Sequence, residues 1–586
     1  MHWLSHRNSD NTLYFQSLRL FQVGAIVFLR DFDYICTIVQ KLKRIVAVKR
    51  VILLLCFALL LGVVNAKPYR IYSVPKEVRQ SDIFEVEVSA DSLKWERVPV
   101  VMTLVSIGRG HKRLSEAEFA EWGGYPKAPY LDKCAIASLS TMQKVWFRVS
   151  HPTAKSLTIS PERRGVKAAM VEGKAVFSVE GAAKLMIVPD GDVVRTLSLL
   201  IDDDSQSLLN MRRFDRVIRF KRGYHTAANC PHIKLNEYGA PVLTIREDNT
   251  MVVLEEGAHL CAAIDIRGAK GTRISGRGFI NLLDRCYGAE RNFEGELLGA
   301  FRENVVPAIY IHENASNVLV QDITIITDFR CVTARNAEGI HLENVKMFSS
   351  AQNGDGVNVI NTQHLRANNC YIHSQDDCFC GYNNCDSIRF LWDDEKFVKG
   401  EPTSDLVLTN SVVWTNCRPF VFGGHATGAK EPRCVMENIL VENCEIIGMA
   451  NSLHYEENFT FKRYNTRTFW SGMMRILSQS EQIVRNITFR NIDVEWTKGY
   501  NGQPIHIAVR DNSKTSYKES QGYRIENILF ENISFRNLNK VVMPIYMKAP
   551  SDEEGYGIYG VKFKNVTFDG KPHTDVGLTL VGNVNL

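Results

Sequence analysis

Three stretches near the carboxyl end repeat one phrase: Asn486-Ile-Thr-Phe-Arg-Asn491, Asn527-Ile-Leu-Phe-Glu-Asn532 and Gly560-Val-Lys-Phe-Lys-Asn565. Each opens on a turn-forming residue, alternates aliphatic or aromatic with polar positions, and closes on asparagine. Earlier copies are Asn317-Val-Leu-Val-Gln-Asp322, Asp405-Leu-Val-Leu-Thr-Asn410 and Asn438-Ile-Leu-Val-Glu-Asn443. From Asn410 onward the closing asparagines are offset by 33, 48, 41 and 33 residues. Asp322, Asn344 and Asn369 are offset by 22 and 25. A unit of 22–25 residues with loop insertions is the mark of a solenoid. Period-2 alternation puts one set of side chains inside each coil. A single coil cannot bury that face alone, so neighbours must stack on it. Asparagine suits the corners, where it tolerates left-handed backbone and bonds to the next turn. The expected architecture over 206–586 is a right-handed parallel β-helix, a pectin-lyase-like solenoid, since right-handed crossovers dominate parallel sheets.

The same reasoning bears on the Asn-x-Ser/Thr triplets at Asn314, Asn458, Asn486, Asn532 and Asn565. Most fall inside the repeat phrase and are read as coil corners rather than glycosylation sites.

Ahead of the repeats, 67–205 reads as an N-terminal β-sandwich domain. Phe84-Glu-Val-Glu-Val88, Val100-Val-Met-Thr-Leu-Val105, Val145-Trp-Phe-Arg-Val149 and Ala183-Lys-Leu-Met-Ile-Val188 are short alternating runs between Pro, Gly, Asp and Ser clusters. Pro189-Asp-Gly-Asp192 reads as a turn between its last strands. Few stretches show a helical period; Ser115 to Trp122 reads as one short helix. The fold class is all-β.

The first 66 residues are set apart as an N-terminal extension and signal peptide. Lys41, Lys43, Arg44, Lys49 and Arg50 precede the apolar run Val51–Val64, which exits through Asn65-Ala66. A basic region, a short greasy core and a small-residue exit make a secretory signal over about 41–66. The run is too short to span a bilayer comfortably. A secreted or periplasmic protein without stable membrane insertion is expected. Residues 1–40 carry no fold information. The formal charge of +5 on 586 residues, with no long basic run, gives no case for nucleic acid. Of 14 cysteines, Cys370, Cys378, Cys380 and Cys385 cluster without paired CxxC spacing. Small buried residues inside the coils are expected there, with no metal and no cofactor.

Function concentrates in Asn353-Gly354-Asp355-Gly356-Val357-Asn358 and Ser374-Gln375-Asp376-Asp377-Cys378. Asp355 and Asp376 are 21 residues apart, about one unit, so they are expected one above the other on a shared wall. Adjacent residues on a regular strand face opposite ways, so for Asp376 and Asp377 both to serve, the backbone must bend there. Paired carboxylates are what acid-catalysed glycoside hydrolysis needs: one protonated donor to the leaving oxygen and one base for water. Crowding raises one of their pKa values. Asp393-Asp394, inside Trp392-Asp-Asp-Glu-Lys396, reads instead as a surface loop.

The order of motifs from about 250 to 580 resembles the polygalacturonase-type glycoside hydrolases of family 28. Asn249–Ala258 is similar to an early strand of that superfamily and Ile274-Ser-Gly-Arg-Gly278 to its glycine-rich coil. Asn353-Gly-Asp-Gly356 matches the family's Asn-Thr-Asp-Gly, and Asp376-Asp377 its paired aspartates. Gly424-His425-Ala426 stands near the place of Gly-His-Gly, and Arg475-Ile476-Leu477 near that of Arg-Ile-Lys. The two-domain layout looks more like the dextranase and isopullulanase relatives (family 49). The resemblance implies a polysaccharide or oligosaccharide hydrolase that inverts configuration. It implies Asp376 as general acid, with Asp355 and Asp377 positioning and deprotonating water. It places His425 and Arg475 at the substrate. By residue type, Asn358 and Asn416 are candidate hydroxyl contacts, and Tyr382, Trp414 and Trp470 candidate stacking platforms for sugar faces. Each of these contacts has a plain structural alternative as a loop anchor or packing residue. Leu477 stands where the pectin-degrading family has a lysine for the substrate carboxylate, so neutral glucans and uronate polymers both stay open. A polysaccharide lyase, or a non-catalytic carbohydrate-binding β-helix, are the alternatives on the same scaffold.

Overall fold

The computed structural model describes residues 67–106, 131–193, 195–204, 211–236, 239–283, 306–350, 354–383, 401–424, 433–449, 472–479, 481–495, 503–509, 522–538, 544–550 and 554–586. Ser115–Trp122, His425, Trp470, Asp393-Asp394, Asn458 and the leader lie outside these ranges. The chain divides into two compact units, 1–67 and 68–586.

The described strands from Arg216–Phe220 to Val584–Asn585 wind into a right-handed parallel β-helix. In the coils around the aspartates each turn contributes three short strands. One coil is Glu338–Glu343, Lys346–Ser349 and Val357–Ile360; the next is Gln363–Asn368, Tyr371–Ser374 and Phe379–Tyr382. They stack in parallel register, Glu338 on Gln363, Lys346 on Tyr371 and Val357 on Phe379. The third strands of successive coils form a 12-stranded sheet of their own.

The repeat phrase explains both the corners and the core. Its closing residues Asp322, Asn344, Asn369, Asn410, Asn443, Asn491, Asn532 and Asn565 all have φ between 51 and 64°, the left-handed region that a short polar side chain tolerates best. Their amides then form a ladder. The Nδ2 of Asn443, Asn491, Asn532 and Asn565 each donates to the Oδ1 of the preceding rung, at 3.3, 3.0, 2.9 and 3.1 Å. Asn486, Asn532 and Asn565 are therefore corner residues of exposed ladders. Inside, like stacks on like. Ile439, Ile487, Ile528 and Val561 are in register and buried. Phe489, Phe530 and Phe563 stack at 5.2 Å with interplanar angles of 6 and 9°, the offset contact aromatic pairs prefer.

Between Tyr69 and Asp202 the chain forms a six-stranded and a five-stranded sheet. All pairings are antiparallel except Leu197–Asp202 on Leu131–Thr141, which is parallel. Val86, Val88 and Phe147 of one sheet share a buried cluster with Leu139, Leu185 and Ile187 of the other. The turn at Asp190-Gly191 joins the strands expected to flank it. The opposite side of the six-stranded sheet covers one flank of the β-helix. Ile136, Met186 and Leu200 pack there against Phe348, Tyr371 and Trp414. Two charges are sealed into this contact: Lys346 Nζ meets Asp202 Oδ1 at 2.6 Å, both nearly inaccessible. Asn344 donates a further hydrogen bond to the same carboxylate.

Among the described residues no helix is long and apolar enough to cross a membrane.

Candidate active site

The 12-stranded sheet carries the site on its outer face. In Val357–Ile360, Val357 and Val359 belong to the coil interior, so the alternation turns Asn358 outward. Cys380, Val421, Arg475 and His506 occupy the same register position on the following coils.

The aspartates sit where the chain enters these strands. The register offset between the two coils is 22, not 21, because Val357 pairs with Phe379. The aspartate stacked on Asp355 is therefore Asp377, and Asp376 lies level with Gly354, whose carbonyl accepts the Asp376 N–H at 3.2 Å. This corrects the expected Asp355–Asp376 stack. The bend does occur. Ser374 and Thr415 hydroxyls both donate to the Asp376 carbonyl, at 2.7 and 2.6 Å, and the Asp376 and Asp377 carboxylates come within 4.8 Å of one another. Asp377 is the more deeply buried, its side chain 4% exposed against 14% for Asp376. Gly356 is required beside Asp355, since a Cβ there would lie 2.5 Å from the Cys378 carbonyl oxygen.

Backbone bonds extend the register in both directions: Cys331 N–H to the Asp355 carbonyl, Gly356 to Asp377, and Cys378 to Arg418, each at 2.9 Å. Arg330, Asp355, Asp377 and Arg418 are thus one position on four successive coils. Arg330 Nε lies 3.1 Å from Asp355 Oδ2. Arg418 donates from Nε to Asp377 Oδ1 at 2.7 Å and from Nη2 to Oδ2 at 3.2 Å, the forked geometry of a strong charged pair. Tyr382 adds its hydroxyl to Asp377 Oδ2 at 3.0 Å. Asn358 Nδ2 donates to Asp355 Oδ2 at 2.6 Å.

Burial pushes the Asp355 carboxyl up to about 7; Arg330 opposes this, while the negative charges of Asp376 and Asp377 reinforce it. Three carboxyls in one cluster titrate as a set, and the set keeps a proton as pH rises toward about 7.

Asp355, Asp377 and Cys380, and likewise Asp376, Asp377 and Cys417, bring donor atoms within 4.8 Å of one another, close enough to meet at a single ion. Arg330 and Arg418 already supply the balancing positive charge, so both groups are better described as a hydrogen-bonded acid cluster than as ligand sets. The cysteines of the cluster, Cys370, Cys378 and Cys380, are buried free thiols, and Cys385 lies outside the described residues. Cys434 is disulfide-bonded.

The other expected contacts divide. Asn358 and Tyr382 adjoin the aspartates, as given above. Arg475 is 5% exposed and shares the outer row of the sheet. Asn416 is buried, donating to Gln375 Oε1 at 2.6 Å. Trp414 is not a sugar platform: it is fully buried beneath the six-stranded sheet and stacks on His373 at 4.0 Å and 9°. Its outward position on the strand faces protein rather than solvent. Sequence reading missed Arg330 and Arg418. Both stand alone in sequence, and the register alone reveals them.

Residues 243–391 match the model of the glycosyl hydrolases family 28. The fold resembles Dex49A from Penicillium minioluteum, with a TM-score of 0.50 at 12% identity over 87% of this chain and 92% of that one. The family 28 exopolygalacturonase of Yersinia enterocolitica gives 0.40 at 12% identity, over 76% of this chain and 96% of that one. The polygalacturonase of Erwinia carotovora gives 0.39 at 12% identity, over 65% and 99%. No curated protein matches the sequence.

Proposed function

We propose that this chain, an O-glycosyl hydrolase carrying a family 28 segment, is a secreted enzyme that cleaves a polysaccharide or oligosaccharide with inversion, using Asp355, Asp376 and Asp377. The observation that carries the reading is the gathering of three carboxyls whose burial and mutual repulsion raise Asp355 to about 7, so that a proton is available where ionised carboxylates also stand. Asp376 is the general acid. It is the most accessible of the three, its side chain 14% exposed against 7% for Asp355 and 4% for Asp377. Its proton passes to the leaving glycosidic oxygen as the bond from that oxygen to the anomeric carbon breaks. Asp377, locked by Arg418 and Tyr382, holds the attacking water, and Asp355 takes the water's proton as its oxygen bonds to the anomeric carbon. Attack from the face opposite the leaving group inverts the centre.

Arg475 and Asn358 contact sugar hydroxyls in this scheme, and the role given to His425 is to orient the acid or bind a sugar hydroxyl. The two sheets of 67–205 form a β-sandwich domain that braces the catalytic β-helix of 206–586, and 41–66 directs secretion. With Leu477 in place of a lysine, recognition does not depend on an ammonium at that point. The test is a screen of residues 67–586 on neutral and uronate polymers, following reducing ends and, by proton NMR, the anomer first formed. Reducing-end release with the inverted anomer supports the reading. Release of an unsaturated product absorbing in the ultraviolet would make the chain a lyase, and retention would exclude the water-activating role of Asp355.

A further inference from the structure

Four successive coils place Arg330, Asp355, Asp377 and Arg418 at one equivalent position, so the two inner carboxylates are closed off at each end by a guanidinium. The pairing is not symmetrical. Arg418 grips Asp377 through two bonds of 2.7 and 3.2 Å, whereas Arg330 approaches a single oxygen of Asp355 at 3.1 Å. All four residues are buried. Removing four charges from water is costly, and a stack of aliphatic residues, as on the other rows, would fill the same space without that cost.

We propose that Arg330 and Arg418 are positioning residues for the hydrolysis: Arg418 holds Asp377 immobile in its fork, and Arg330 sets how firmly the cluster keeps its proton. This rests on the reaction assigned above and adds two residues to it. The other ionisable groups facing the pair are Tyr382, Cys331 and Cys380, which burial holds neutral, together with Cys417 and Asp376, the third carboxyl. Among the described residues the permanent cations against the stack are the two arginines: Arg330 faces Asp355, while Arg418 faces Asp377 and stands 3.8 Å from Asp376 Oδ1.

The two ends therefore act on different limbs of the pH–rate profile. Deleting the Arg330 charge strengthens the hold on the last proton and moves the alkaline limb of kcat/KM upward. Deleting Arg418 lets the cluster take up a second proton at higher pH and moves the acid limb upward. An arginine within contact distance of an aspartate is worth about one to three pH units, so each shift is expected at about one unit or more.

The experiment is the pH dependence of kcat/KM for Arg330→Gln, Arg330→Lys, Arg418→Gln and Arg418→Lys on a polymer the wild type cleaves. The pH dependence of Tm is recorded for the same proteins and needs no substrate. The glutamine variants should shift opposite limbs; the lysine variants should return both limbs to within a few tenths of a unit of wild type. Arg418→Lys should still lose at least tenfold in kcat, because an ammonium cannot form the fork. Should Arg418→Gln fail to fold, Arg330→Gln decides alone. Folded glutamine variants with unmoved limbs and an unmoved Tm profile overturn the proposal. If Asp376→Asn is inactive in the same assay, the hydrolase assignment survives that failure. If the wild type cleaves nothing, the Tm profiles still decide whether the arginines govern the proton.

Discussion

His373 offers a test of how the six-stranded sheet and the β-helix hold together. Its ring is 1% exposed, neither nitrogen has a hydrogen-bond partner, and it is stacked on Trp414 at 4.0 Å. Burial lowers its pKa from 6.5 to about 3. The unfolded chain takes up a proton below pH 6.5 that the folded chain refuses, so its contribution is complete above pH 6.5 and falls away as pH drops toward 3. At pH 4.5 the difference is about two units, or about 2.7 kcal/mol. His373→Phe keeps the ring and the stack and removes the titration. For a chain of this size, with an unfolding entropy of about 2.1 cal/mol/K per residue, that amounts to about 2–3 °C in Tm. Calorimetry on both proteins at pH 8 and 4.5 should show the variant gaining about 2–3 °C on the wild type at pH 4.5 relative to pH 8. Parallel losses in the two proteins would refute the reasoning, since they would mean that His373 is solvated or paired in the folded state.

Lys346→Met leaves Asp202 charged and buried without its 2.6 Å partner, and should cost about 3–5 kcal/mol, read as lost Tm and earlier proteolysis between 67 and 205. Gly356→Ala should destabilise by more than about 1 kcal/mol and depress kcat further than KM, because the added Cβ meets Cys378 O at 2.5 Å and Ile372 at 2.4 Å. In the wild type, kcat/KM should fall above about pH 7, as the cluster gives up the proton reflected in the raised Asp355 pKa; a profile flat to pH 9 would contradict it.

The β-helix was legible because its repeat phrase states two physical needs at once, an alternating core and a left-handed corner that asparagine fills. The aspartates were legible as a group for the same reason. Their partners were not. Reading the unit as 21 residues put Asp376 over Asp355, whereas strand pairing makes the step 22 and brings Asp377 there. Insertions then carry the next equivalent residue, Arg418, 41 positions on, where no local pattern marks it. Trp414 misled in another way. An outward aromatic on a solenoid strand reads as a solvent-facing platform, but here the flank is covered by a second sheet, a long-range contact that alternation does not encode.

The most direct measurement of the central claim is the hydrolysis rate of Asp376→Asn on a polymer cleaved by the wild type. Tm is taken beside the rate to establish folding. The account predicts a loss of at least a thousandfold in kcat with Tm within about 2 °C, since the amide cannot give up a proton and the side chain bears little of the fold. A folded Asp376→Asn enzyme working within tenfold of the wild type would show that the proton comes from elsewhere.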